Sequence, residues 1–165
     1  MKQPTIPRVL SLILWFSFSL ITSLSSFAKT GENAISFSTQ TLSGQPYHFD
    51  INSLDKPHLL VFWATWCLEC RYEFHALNAL HAERLDQIEI VGISIDQDPS
   101  AALTMQKEAN LTYVNIIDDK AIIAKQYKVK GTPTLIFVDQ NGLIISEGHR
   151  LDDTLKQQIS RLISP

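Results

Sequence analysis

The stretch Pro57-His58-Leu59-Leu60-Val61-Phe62-Trp63-Ala64-Thr65-Trp66-Cys67-Leu68-Glu69-Cys70 decides the fold. Its first half is a continuous apolar run behind a proline, the pattern of a strand buried on both faces. Its second half holds the only two cysteines of the chain, two residues apart, where the strand pattern gives way to a helical one. Two thiols at that spacing can close a small disulfide ring. A thiol at a helix N-terminus also feels amide dipoles that favour its thiolate, the form that attacks disulfides. The stretch therefore proposes dithiol–disulfide exchange at a strand-to-helix junction.

Reading outward, Leu68 to Leu85 is a helix with Phe74, Leu77, Leu80 or Ala79, and Leu85 on one side. Ile88 to Ile95 is a second buried strand, ended by Asp96 to Pro99. Ser100 to Ala109 is helical, Tyr113 to Ile117 is a short strand, and Asp119 to Tyr127 a further helix. Gly131-Thr132-Pro133 then breaks the pattern, Thr134 to Val138 is a strand, and Asp139-Gln140-Asn141-Gly142 is a hairpin turn into Leu143 to Ser146. Asp152 caps a last amphipathic helix that reaches Ile163. Upstream, Ile35 to Thr41, Ser43-Gly44 and Tyr47 to Ile51 form an N-terminal hairpin behind a short polar lead-in. Strands alternating with helices call for parallel pairing among the first core strands, with an antiparallel edge at the Asn-Gly hairpin. The class is α/β with three layers.

Residues 1–28 read as an export signal: Lys2 and Arg8 make a positive start, Val9 to Leu24 is apolar apart from Ser and Thr, and Ser26-Phe27-Ala28 suits a cleavage site. Cleavage after Ala28 is expected, leaving residues 29–165 as one domain. Retention as an anchor is the alternative, although the apolar run falls short of the roughly twenty residues that a spanning helix needs. Either way the rest of the chain works in an extracytoplasmic, periplasmic space where disulfides persist. The whole chain has 14 basic and 17 acidic residues, and the leader holds two of the basic ones and no acid, so the remainder is net negative. That argues against nucleic acid or anionic lipid as partners. A Cys67–Cys70 staple would constrain the unfolded chain little, so redox chemistry explains the pair better than stabilisation does.

The order Trp66-Cys67-x-x-Cys70 after a buried strand, then Gly131-Thr132-Pro133-Thr134 before a later one, resembles the thioredoxin superfamily. Phe62-Trp63-Ala64-Thr65-Trp66-Cys67 with Cys70-Arg71-Tyr72-Glu73 is similar to its exported branch, which includes TlpA, ResA and the thioredoxin-like reductases of cytochrome c maturation. The resemblance implies a central mixed sheet flanked by helices, an N-terminal hairpin, and a central strand–helix insertion supplied by Ile88 to Ile117. It implies that Cys67 is the exposed nucleophile and Cys70 the resolving thiol. It implies a cis Pro133 facing the disulfide, with Thr132 and Trp66 touching the partner's chain. It also implies that Glu73, three residues beyond Cys70 and so on the same helix face, tunes proton transfer. A carboxylate in a partly apolar site there would accept the Cys70 proton during resolution. Where cytoplasmic thioredoxins keep a buried aspartate, this chain has Val61.

Two residues depart from the family pattern: Glu69 stands where proline usually precedes the second cysteine, and His75 where proline often follows. With Leu68, Glu69 makes up the redox-tuning pair between the cysteines. A negative charge at Glu69 disfavours the Cys67 thiolate, while Arg71 and the helix start act the other way, so the sign of the net shift stays open. A metal reading exists in Cys67, Cys70 and His75, two soft ligands and an imidazole suited to copper(I) or zinc. It lacks a fourth ligand at a recognisable spacing. A peroxidase of the peroxiredoxin kind needs threonine three residues before its cysteine, where Ala64 stands.

The expectation is a monomeric exported domain that reduces disulfides of client proteins through Cys67 and Cys70. No cofactor or metal is needed, because the electrons reside on sulfur. By resemblance the electron donor is a membrane thiol reductase of the DsbD type. A copper(I) carrier or adaptor, and a net dithiol oxidase, are the alternatives.

Overall fold

The computed structural model describes residues 30–163. The leader reading of residues 1–28 lies outside the described residues. The order is β1 (Phe37–Gln40), β2 (Pro46–Phe49), β3 (His58–Trp63), α1 (Leu68–Arg84), β4 (Glu89–Ser94), α2 (Pro99–Glu108), β5 (Val114–Ile117), α3 (Ile122–Gln126), β6 (Thr134–Val138), β7 (Ile144–Gly148) and α4 (Asp153–Ile163). β1 and β2 pair as an antiparallel two-stranded sheet, and the other five strands form one mixed sheet in the order β5-β4-β3-β6-β7. β3, β4 and β5 run parallel, while β6 and β7 add antiparallel pairings. This is the thioredoxin-like α/β arrangement expected from the sequence, a mixed sheet flanked by helices with an N-terminal antiparallel hairpin.

β3 lies at the centre, and every one of its residues is buried. Side chains alternate across a strand, so Leu59, Val61 and Trp63 join Phe74, Leu77 and Ile159 in one core, while Leu60 and Phe62 join Phe37, Ile123 and Tyr127 in the other. The β1–β2 hairpin covers the second face. Phe37 stacks on Phe49 at 5.0 Å, and the Tyr127 hydroxyl both donates to the Ile35 carbonyl (2.7 Å) and accepts from its N–H (2.9 Å). In α1 the buried stripe is Cys70, Phe74 and Leu77. The second cysteine is therefore a core residue of its helix, whereas Leu85, expected on that stripe, is exposed.

α3 is shorter than the helix expected over Asp119 to Tyr127. The buried Asp118 carboxylate accepts the N–H groups of Ile122, Ile123 and Ala124, and Ala121 takes a left-handed φ of 52°. Capping from Asp118 starts the helix at Ile122 and leaves residues 119–121 as a turn. The other ends follow their local chemistry. Asp98 caps α2 through the Ser100 N–H, Asp152 accepts the Leu155 N–H, and Asp139 accepts the N–H groups of Asn141 and Leu143 in the β6–β7 turn.

Sheet register positions the functional end. Ser94, which ends β4, lies opposite Trp63, which ends β3, and Thr134, which begins β6, lies opposite Phe62. The residues following β3 and β4 and those preceding β6 therefore meet at one edge. Among the described residues no helix is long and apolar enough to cross a membrane.

Candidate active site

The redox turn begins where β3 runs out of sheet partners. Cys67 donates its N–H to the Ala64 carbonyl (3.1 Å) and serves as N-cap of α1, its sulfur accepting the Cys70 N–H at 3.1 Å. Cys67 and Cys70 are joined as a disulfide, with 5.4 Å between their Cα atoms. The N-cap position gives Cys67 the amide environment that favours a thiolate after reduction. Cys70, one turn in, is 1% exposed. Cys67 is 6% exposed, which corrects the expectation of an openly exposed nucleophile. Trp63, Ala64, Phe74 and Cys70 belong to the same core and pack the first cysteine closely, so the two thiols differ in access by a small margin.

Around this covered pair the surface is apolar and open. Trp66 is 70%, Leu68 61% and Tyr72 67% exposed. Trp63, by contrast, is fully buried, and its Nε1 donates to the Asn115 Oδ1 at 3.1 Å, which makes it a core residue. The Thr132–Pro133 peptide is cis, as the resemblance implied. The Thr132 hydroxyl is buried without a hydrogen-bond partner, and the Pro133 carbonyl accepts from His149 Nδ1 at 2.8 Å.

The charged residues find partners that local sequence gave no sign of. Glu69 pairs with Arg150 at 3.5 Å, so its charge is partly offset from a segment 81 residues away. Arg71 reaches back to the Thr65 carbonyl at 3.2 Å. The half-buried Glu73 accepts the Leu151 N–H at 2.9 Å. Residues 149–151 thus contact the cis-proline segment and two residues of α1. Asp96, which looked like a turn residue after β4, is buried and bonded to Thr65 and Ser94. Neither Asp96 nor the 149–151 segment carried a sequence signal, because their roles depend on the sheet bringing distant residues to one edge. Among the described residues no three His, Cys, Asp or Glu side chains gather as a metal-holding group, and His75 is exposed on α1.

The chain matches the AhpC/TSA family over residues 30–146. It is 34% identical over 117 residues to thioredoxin-like protein YneN of Bacillus subtilis (strain 168), covering 69% of this chain and 68% of that one. It is 35% identical over 102 residues to thiol:disulfide interchange protein DsbE of Escherichia coli (strain K12), covering 61% of this chain and 54%, about half, of that relative. The crystal structure of a secreted Mycobacterium tuberculosis disulfide oxidoreductase homologous to E. coli DsbE superposes with a TM-score of 0.68. There the identity is 27%, and the match covers 76% of this chain and 96% of that one. With a Cys-x-x-Cys disulfide at the head of α1 and a cis-proline segment at the same sheet edge, the chain belongs to the AhpC/TSA family as a thioredoxin-like thiol–disulfide oxidoreductase.

Proposed function

We propose that this domain is an exported, periplasmic reductant of disulfides in client proteins, working as a monomer after removal of residues 1–28. The observation that carries the reading is the placement of Cys67 as N-cap of α1, less covered than Cys70 and flanked in the chain by the exposed Trp66 and Leu68. In the reduced domain the Cys67 thiolate attacks one sulfur of a client disulfide. A mixed disulfide forms and the client's other sulfur leaves as a thiolate. Trp66, Thr132 and the backbone around Pro133 hold the client chain. The cis Thr132–Pro133 peptide, with Thr132 half-buried beside it, supports that contact. Cys70 gives its proton to Glu73 and attacks Cys67, releasing the second client thiolate and leaving the domain's disulfide. Two electrons pass to the client, and Leu68 and Glu69 between the cysteines tune how readily they do so.

The oxidised domain then needs two electrons from a membrane dithiol reductase of the DsbD type. Net oxidation of clients uses the same residues in reverse, and the reduction potential separates the two directions. A value near about −270 mV or lower fits the reductant, while one near about −120 mV makes the protein an oxidant and reverses the direction of electron flow. Cys67→Ser should abolish exchange. Cys70→Ser should accumulate client mixed disulfides, visible as reducible adducts on a non-reducing gel. An active Cys67→Ser variant would sink the scheme.

A further inference from the structure

We infer that Asp96 is the positioning residue of the redox turn, setting the reactivity of Cys67 through Thr65. The proposal rests on the reading of Cys67 as the attacking thiol. Residues 64–67 lie between β3 and α1 and belong to neither, and the Trp66 side chain, being exposed, anchors nothing. What holds the turn is Thr65. Its N–H points at both carboxylate oxygens of Asp96 (3.1 and 3.0 Å), and its hydroxyl donates to Oδ1 at 2.7 Å. Its carbonyl accepts from Arg71 Nη2 at 3.2 Å. Every polar group of Thr65 is thus taken, by a buried anion on one side and by a cation of α1 on the other.

Asp96 is 5% exposed, and its oxygens are served by Thr65 and by the Ser94 hydroxyl, at 2.8 Å to Oδ2. Ser94 in turn accepts the Asp96 N–H at 3.2 Å, and Ile95 donates to the Trp63 carbonyl at 3.0 Å, which locks the carboxylate to the ends of both strands. A buried carboxylate is costly unless hydrogen-bonded, so Asp96 holds the turn at the one position where Thr65 can donate twice. That position sets Cys67 as N-cap, with its sulfur on the Cys70 N–H. In the reduced protein the same N–H stabilises the thiolate. Glu69, Glu73 and Arg71 on α1 and Arg150 opposite are the charged groups of this end of the fold, with partners in Arg150, Leu151, Thr65 and Glu69, whereas Asp96 acts by placing the sulfur.

The test is the alkylation rate of Cys67 by iodoacetamide across pH, followed by peptide mass in the reduced protein. Thr65→Val removes the hydroxyl and keeps the bulk, and the expected result is a roughly three- to tenfold slower reaction at neutral pH, with the midpoint moved upward. Thr65→Ser should restore the wild-type profile. Ser94→Ala loosens the carboxylate without touching the turn and should move the midpoint the same way by less, which decides the matter if Thr65→Val does not fold. Folded Thr65→Val and Ser94→Ala proteins with unmoved midpoints, whatever their melting temperatures, overturn the proposal. Alkylation needs no client, so a wild-type domain that fails to reduce protein disulfides faults the functional reading and not this one.

Discussion

The carboxylate of Glu73 accepts the backbone N–H of Leu151 at 2.9 Å, so the group proposed to take the proton of Cys70 also ties the segment before α4 to α1. The two roles separate by substitution. Glu73→Ala leaves that N–H without a partner and should cost about 1–3 kcal/mol of stability. Glu73→Gln keeps an oxygen to accept it but supplies no base. Its urea midpoint should stay near wild type while mixed disulfides with a model client decay more slowly in quenched time courses. Unchanged decay in Glu73→Gln would leave Glu73 with its structural role alone.

Arg150 offsets Glu69 across an exposed contact, and exposed pairs contribute at most about 1 kcal/mol. Removing the cation leaves the acid to disfavour the Cys67 thiolate. Arg150→Ala should therefore slow Cys67 alkylation at neutral pH by less than about fivefold at low salt. High salt should erase the difference, and so should a Glu69→Gln background. A salt-independent effect would point to a packing role for Arg150.

Asn115 joins Trp63 to β5, accepting from Nε1 at 3.1 Å and donating to the Tyr113 carbonyl at 2.8 Å, all within the core. Asn115→Ala strips two buried groups of partners and opens space, for an expected loss of about 2–4 kcal/mol. Gly92 lies opposite Asn115, and a methyl group there would collide with the Asn115 side chain and come within 3.0 Å of Trp63 Nε1. Gly92→Ala should be destabilising for the same reason. Denaturant unfolding followed by tryptophan fluorescence checks both variants.

His58 begins β3, buried and edge-on to Phe49 at 5.2 Å. Burial pushes its pKa below the ordinary histidine value, although the hydrogen bond to the Lys56 carbonyl and the nearby Glu89 and Asp55 charges oppose this. The unfolded chain takes up a proton near pH 6.5, whereas the folded chain resists until lower pH. Stability is thus whole above about pH 6.5 and declines as pH falls from there through the depressed folded pKa. The urea midpoint should drop across that window, and His58→Phe should flatten the drop. Asp50 and Asp98, both held below the usual carboxylate range by hydrogen bonds to Asn52 and Ser100 respectively, add their losses only at more acid pH.

The parts of the fold that were legible in the sequence are those decided by local patterning. The apolar run His58 to Trp63 fits a strand covered on both sides, and Asp139 to Gly142 carries a strong turn signal. The helix expected from Asp119 begins later, at Ile122, because its first N–H groups are taken by the Asp118 carboxylate, a contact that the local pattern does not reveal. The site divides in the same way. Cys67 caps the helix that carries Cys70 and Glu73, and the Thr132-Pro133 pair marks itself as a break. Asp96 and Arg150 meet the redox turn through sheet register and through a segment some 80 residues downstream, and no local window contains both ends of such a contact.

The contacts of His149, Arg150 and Leu151 also have a meaning in time. A polypeptide is made from its N-terminus, so both cysteines leave the ribosome well before the segment that braces Glu69, Glu73 and Pro133. While the last strand is still being made, the nascent chain holds two thiols with an unfinished surround. The sulfur pair is therefore made before the contacts that brace Glu69, Glu73 and Pro133 can form, and the site is complete only when the segment 149–151 has arrived.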